Sequence, residues 1–319
     1  MTSPLPLSPL GQGIFALDSG YIRERFDAIH LIVEAGRAAI IDTGTRHSVP
    51  RVLEALGALG LEPADVDWVM LTHVHLDHAG GAGTLMAALP SARLVVHPRG
   101  ARHMIDPARL WQATCEVYGE AEAERMYGRI EPIAAERVVE ATDGLELALA
   151  GRALQFIDAP GHARHHVVIR DSASGWLFAG DTFGISYREF DVDGRAFAFP
   201  SSTPVQFEPE ALCATIDRML ALNPEAVLLT HYSVVRDVKR IGATLKRLTC
   251  RYAEIGLSHQ QAGAARAERI RGDLGVLLVD ELLAHGVSFS EARIRELLAL
   301  DLPLNADGIV SWLDARSRR

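Results

Sequence analysis

Between Thr72 and Gly80 the chain reads T-H-V-H-L-D-H-A-G, an H-x-H-x-D-H run that packs four metal-ligand side chains into six positions. His73 and His75 alternate with an apolar residue, so an extended backbone aims both imidazoles the same way. Asp77 and His78 follow where that strand turns into a helix, close enough to reach a second ion beside the first. Histidine makes up 13 of the 319 residues, and at that frequency such a run arises by chance in on the order of one chain in a thousand. The chemistry it points to is that of a bound metal.

A dinuclear centre needs more donors than one loop supplies. Three later apolar runs each end in one: 153–161 delivers His162, 175–180 delivers Asp181, and 225–230 delivers His231. Short buried strands that finish in a ligand are how a sheet scaffold holds a rigid site at its rim. Singly each is a weak signal, because a histidine after a strand is more often satisfied structurally. In this order, behind H-x-H-x-D-H, the set is strong.

These residues resemble the metallo-β-lactamase superfamily of hydrolases. The resemblance rests on T-H-V-H-L-D-H-A-G, A-P-G-H, A-G-D-T and L-T-H, with the early I-I-D-T-G (Ile40 to Gly44) fitting as well, over about three-quarters of the chain. It implies an α/β fold, an αββα four-layer sandwich with metals at one edge. It also implies that His73, His75 and His162 hold one ion, that Asp77, His78 and His231 hold the other, and that Asp181 bridges them. Asp42 would orient the ligand loop through hydrogen bonds, and His166, four residues after His162, would contact substrate or brace His162.

Two ions held this way pull the pKa of a water between them toward neutrality, which makes a nucleophile without a serine or cysteine. Asp77 is placed to accept or pass on a proton, and Tyr187 and Tyr232 are candidate hydroxyl donors to a developing oxyanion. The resulting expectation is a metal-dependent hydrolase that uses a metal-bridging hydroxide on an ester, thioester or lactone of a small molecule, similar to the glyoxalase II branch. Zinc suits the donors, as do iron and manganese. A mononuclear iron dioxygenase acting on a persulfide and a phosphodiesterase are the alternatives on the same fold.

The elements that must position these groups follow from pattern. Ile14–Leu17, Ala28–Glu34 and Arg37–Asp42 read as strands, with Ala35-Gly36 as a hairpin turn. A helix spans about Ser48–Gly60, and Val66–Leu71 is the strand that feeds the histidine run. Residues 100–129 are helical in composition and are read either as extra core or as a pocket wall. Asp143-Gly144 is read as a hairpin turn between Arg137–Glu140 and Leu145–Leu149. The segment 184–207, directly after Asp181, is read as an aromatic hairpin turning at Asp193-Gly194. It is expected to overhang the metals, with Phe190, Phe197 and Phe199 lining the pocket. Residues 1–234 are taken as the catalytic domain and 235–319 as a helical appendage, in which a Ser288-Phe289-Ser290-Glu291 capping box and a cap at Asn305 open the last helices.

Composition narrows the partners. The net charge is 32 − 41 = −9 with histidine neutral, which argues against a general nucleic-acid binder. Cys115, Cys213 and Cys250 show no C-x-x-C spacing and are read as small buried hydrophobes. The Pro- and Ser-containing stretch 1–13 has no signal-peptide pattern, and no run reaches membrane-span length. A cytoplasmic protein with a small-molecule substrate and no membrane or nucleic-acid partner is the expectation, with homodimerisation through the C-terminal helices as one option.

Overall fold

The computed structural model describes residues 5–203 and 205–318. The first four residues of the lead-in therefore lie outside the described part. Two compact units emerge. The first comprises Met1–Asp158, His165–Gly180 and Val227–Val234; the second comprises Ala159–Arg164, Asp181–Ala226 and Val235–Arg319.

The first unit contains two sheets. Strands β1 (Leu7–Gly11), β2 (Ile14–Asp18), β3 (Ala28–Glu34), β4 (Arg37–Ile41), β5 (Val66–Met70), β6 (Arg93–Val96) and β7 (Val138–Glu140) lie side by side in sequence order. The first four are antiparallel, and Ala35 and Gly36 in the turn from β3 to β4 are both at positive φ. From β4 onward the pairing is parallel, and parallel neighbours need a crossover. Helix α1 (Val49–Ala58) supplies the first, while α2 (Leu76–Ala79) and α3 (Ala82–Ala88) supply the second. Val52, Leu56, Leu85 and Met86 of these helices are buried in one core with Leu31, Ile40, Val69 and Leu94 of the sheet.

The stretch read as broadly helical resolves into three helices, α4 (Pro98–Ile105), α5 (Ala108–Tyr118) and α6 (Glu120–Tyr127). The second sheet has the order β13-β12-β11-β10-β9-β8. Its strands are β8 (Glu146–Leu149), β9 (Arg152–Asp158), β10 (Val167–Asp171), β11 (Leu177–Gly180), β12 (Val227–Leu229) and β13 (Ser233–Val235). Arg152 ties the sheets together: its guanidinium donates to Asp171 of β10 at 2.7 and 2.6 Å and to the Gln12 carbonyl at 2.7 Å, and sits 3.3 Å from Glu34 of β3. A charge this deep is tolerable only with such partners.

Three local readings need correction. Asp143-Gly144 is not a hairpin turn, because β7 and β8 belong to different sheets. The hairpin is at Ala150-Gly151, both at positive φ, between β8 and β9. None of the three cysteines is buried: all are free thiols, and Cys250 is exposed.

The second unit carries helices α7 (Pro209–Ala221), α8 (Val238–Ser258), α9 (Arg266–His285), α10 (Glu291–Leu297) and α11 (Asp301–Ser317). The third correction concerns its caps. Ser290, not Ser288, caps α10 by accepting from the Arg293 N–H. Asn305 lies inside α11, where its Oδ1 accepts from the Ser202 N–H at 2.7 Å. There is room for that contact only because position 308 is glycine: a Cβ would fall 1.4 Å from the Ser202 carbonyl oxygen. Among the described residues no helix is long and apolar enough to cross a membrane.

Candidate metal centre

The ligand loop leaves β5 at Met70, and α2 begins at Leu76 with His75 as its N-cap residue. Asp42, at the end of β4, sits beneath it with φ near 58°, a left-handed conformation that aspartate tolerates better than most residues. Its carboxylate accepts from the Thr72 N–H at 2.8 Å, from the Thr72 hydroxyl at 2.9 Å, from the Thr230 hydroxyl at 3.0 Å and from His78 Nδ1 at 2.9 Å. One buried side chain thus braces the residue before His73, the residue before His231, and His78 itself.

The donors of the first unit follow from these supports. With His78 Nδ1 donating to Asp42, its Nε2 is the atom that can serve as a ligand, 3.7 Å from Asp77 Oδ2. His231 is held similarly: Nδ1 donates to the Phe26 carbonyl at 3.3 Å and lies 2.6 Å from the Asp27 carboxylate, while Nε2 stands 3.4 Å from the same Asp77 oxygen. Ligand-type atoms of Asp77, His78 and His231 all lie within 4.8 Å of one another. His73 Nε2 and His75 Nδ1 face each other at 2.8 Å. His166 is fully buried, and its ring stacks on that of His73 at 4.8 Å and 22°. Close packing holds the rings: a Cβ at Gly180 would come 2.6 Å from both His166 Nε2 and the Thr72 hydroxyl.

The second unit contributes its own pair. His162 is buried and donates Nδ1–H to the Ser201 carbonyl at 3.1 Å, which turns Nε2 toward Asp181 Oδ2 at 3.7 Å. Gly161, at φ 133°, lets the loop press against α7, where a Cβ would meet the Leu212 backbone at 2.3 Å. An imidazole nitrogen beside a carboxylate, with the opposite nitrogen fixed by a carbonyl, is a usual metal-ligand arrangement.

The aromatic residues expected to line the pocket are buried within the second unit. Tyr187, Phe190 and Phe199 are fully buried in the second unit. The Tyr187 hydroxyl donates to the Asp301 carboxylate at 3.0 Å, and Phe197 packs on His285 at 5.4 Å. The Asp193-Gly194 turn does form, between Val192 and Arg195. A hydroxyl held by a buried carboxylate is not aimed at a substrate, so Tyr187 acts here as core. Tyr232 follows His231 in the first unit and is half-buried.

Other side chains lie beside the donors of the first unit. Asp27 and Phe26 precede β3. Burial pushes the Asp27 carboxyl up to about 6, against the pull of His231, and the Phe26 ring packs edge-on to His231 at 5.4 Å. Tyr21 lies against Phe26 at 5.8 Å and stacks on Tyr127 of α6 at 5.7 Å; Tyr118 of α5 lies edge-on to Tyr127 at 6.0 Å. Burial first, then the charges and phenols around them, Asp77 included, hold the Tyr21 and Tyr127 hydroxyls far above their ordinary range. No motif marks these residues. The one hint was an aromatic residue at either end of Tyr21-Ile-Arg-Glu-Arg-Phe26, directly ahead of a strand.

A family model described as the metallo-beta-lactamase superfamily matches residues 23–231. A hydroxyacylglutathione hydrolase of Acidiphilium cryptum is 28% identical over 80% of this chain and 82% of its own length. An acyl-coenzyme A thioesterase of Gallus gallus is 28% identical over 81% of this chain and 90% of its own. Among solved structures, a metallo-beta-lactamase family protein from Thermus thermophilus superposes with a TM-score of 0.65 at 22% identity, covering 97% of this chain and 95% of that one. The archaeal superfamily protein ST1585 from Sulfolobus tokodaii gives 0.59 at 22% identity, covering 74% and 86%.

Proposed function

Because the chain belongs to the metallo-beta-lactamase superfamily of metal-dependent hydrolases, we propose that it hydrolyses an ester or thioester of a small molecule at a dinuclear zinc centre. The observation that carries this is the donor set Asp77, His78 and His231: His78 Nδ1 is committed to Asp42 and His231 Nδ1 to the Phe26 carbonyl beside Asp27, which leaves both Nε2 atoms directed at one place. Those atoms have the chemistry a divalent ion requires. In this reading His73, His75 and His162 would hold the first ion and Asp77, His78 and His231 the second, with Asp181 available to both. The motif order and the His162–Asp181 pair support that assignment.

When bound, such ions bring water near its pKa at neutral pH and polarise the carbonyl under attack. The chain's own residues do the rest. Asp77 is the carboxylate of its cluster, about a quarter exposed, and takes the proton that water loses when its oxygen bonds to the acyl carbon. As the acyl bond to the leaving oxygen or sulfur breaks, the same carboxyl returns a proton to that atom. Asp42 keeps the His78 ring, and the Phe26 carbonyl with Asp27 beside it keeps the His231 ring, in one tautomer throughout. The named activities of the two curated relatives favour a thioester over a lactone.

Elemental analysis of metal-free-handled protein, followed by assays on thioesters, esters and lactones, tests this. About two zinc ions per chain are expected, with hydrolysis lost to a chelator and regained on adding zinc. A single iron, with oxygen consumed in the presence of a persulfide, would replace this reading with the dioxygenase.

A further inference from the structure

Two of the three cysteines are brought together where α7 packs on α8 in the second unit. The contacts between these helices fix their register. Lys246 of α8 pairs with Asp217 of α7, and a Cβ at Gly242 would fall 2.9 Å from the Leu220 side chain. Facing positions fall along α8 as they rise along α7, so the helices are antiparallel. One turn from Asp217 and Lys246, in the direction away from Gly242, the next facing pair is Cys213 and Cys250. The Cys213 Sγ lies 4.0 Å from the Lys246 carbonyl, one turn N-terminal to Cys250. A helical side chain covers the turn N-terminal to its own Cα, and that is the turn the Cys213 sulfur touches.

The surroundings of the pair suit sulfur chemistry better than packing. Leu212, Ile216 and Met219 of α7 and Leu245 and Leu248 of α8 fill the buried part of the contact. The thiols sit at its outer margin, Cys213 half-buried and Cys250 exposed. Burial first, then the Cys250 thiol beside it, pushes the Cys213 thiol up to about 11, and the Lys246 ammonium pulls against that rise. Lys246 is near both sulfurs, and a cation beside a thiol favours the thiolate, which is the reactive form.

We propose that Cys213 and Cys250 are a modification site, a dithiol that a peroxide converts reversibly to a disulfide tying α7 to α8. Cys250, the exposed member, reacts first. Its thiolate takes a hydroxyl from hydrogen peroxide as the O–O bond breaks, and the released hydroxide gains a proton and leaves as water. The Cys213 sulfur then attacks the sulfenic sulfur of Cys250; the S–O bond breaks, and the departing hydroxide leaves with the Cys213 proton as a second water. Two thiols give up two electrons, and one peroxide becomes two waters. Such a bridge spans Cα atoms less than about 7 Å apart, and the glycine at 242 removes the side chain that would hold the helices further apart. The loop it closes, residues 214–249, contains β12, β13 and His231.

The test is a peptide map of the full-length protein, treated with a stoichiometric amount of hydrogen peroxide and then alkylated. A single linked peptide pair carrying Cys213 and Cys250, two hydrogens lighter than the free pair, is expected, with Cys115 recovered as an alkylated thiol. Closing that loop should raise Tm by about 5 °C, and dithiothreitol should reverse both changes. Cys213→Ser should stop the reaction at the Cys250 sulfenic acid, which dimedone captures, and should abolish the rise in Tm. Recovery of both thiols unbridged in the oxidised parent overturns the proposal, as does a link from Cys250 to a second molecule or its passage to the sulfinic acid. A rise in Tm that persists in Cys213→Ser would remove the bridge as its cause. The map of the parent decides the matter even if that variant does not fold.

Discussion

Two aromatic clusters invite comparison. One follows Asp181 directly in sequence and holds Tyr187, Phe190, Phe197 and Phe199, all buried in the second unit. The other is gathered from Tyr21, Phe26, Tyr118 and Tyr127, distant in sequence, and one of its members touches His231. Phe26 and His231 are 205 positions apart. Adjacency to a ligand in the chain therefore says little about adjacency in space. A ring lies where the largest apolar area is available to it, and for the segment after Asp181 that is its own unit's interior.

The comparison breaks first at Phe199. Phe199→Ala should cost about 3–5 kcal/mol, lowering Tm by on the order of 10 °C, while the refolded protein keeps its metal content. A variant of unchanged Tm but altered substrate preference would return this ring to the pocket. Tyr187→Phe should cost less, about 1–3 kcal/mol, because it removes the donor that this hydroxyl supplies to the buried Asp301 carboxylate. Denaturant titration would read this, and kcat/KM should not move. Tyr21→Phe should cost least, within about 1.5 kcal/mol, since its hydroxyl is partnered by another phenol and no charge is stranded. That variant should nonetheless alter KM. An unchanged KM for every substrate would erase the distinction between the clusters.

The candidate donors stand out in sequence because their motifs are local: the H-x-H-x-D-H run and the apolar runs that end in His162, Asp181 and His231. The same holds for the strands, whose apolar runs survive burial on either face. What could not be read depends on distant contacts. Asp27 looks like a loop aspartate until His231 arrives beside it, and Asp143-Gly144 has the composition of a hairpin although its flanking strands join different sheets. Asn305 resembles a helix cap, but its partner is Ser202, a pairing that no local pattern announces.

Strand β12 pairs with β11 in parallel, and residues 181–226 of the other unit lie between them in the chain. Neither unit can therefore be made first and finished before the other begins. As the polypeptide leaves the ribosome, β11 presents an open edge until residue 229 has been synthesised, and His231 arrives only afterwards. An unpaired edge held open through so long a crossover is a template for pairing with other chains. Nascent or truncated forms that stop within 181–226 should thus depend most on chaperones, and the hazard ends when β12 docks.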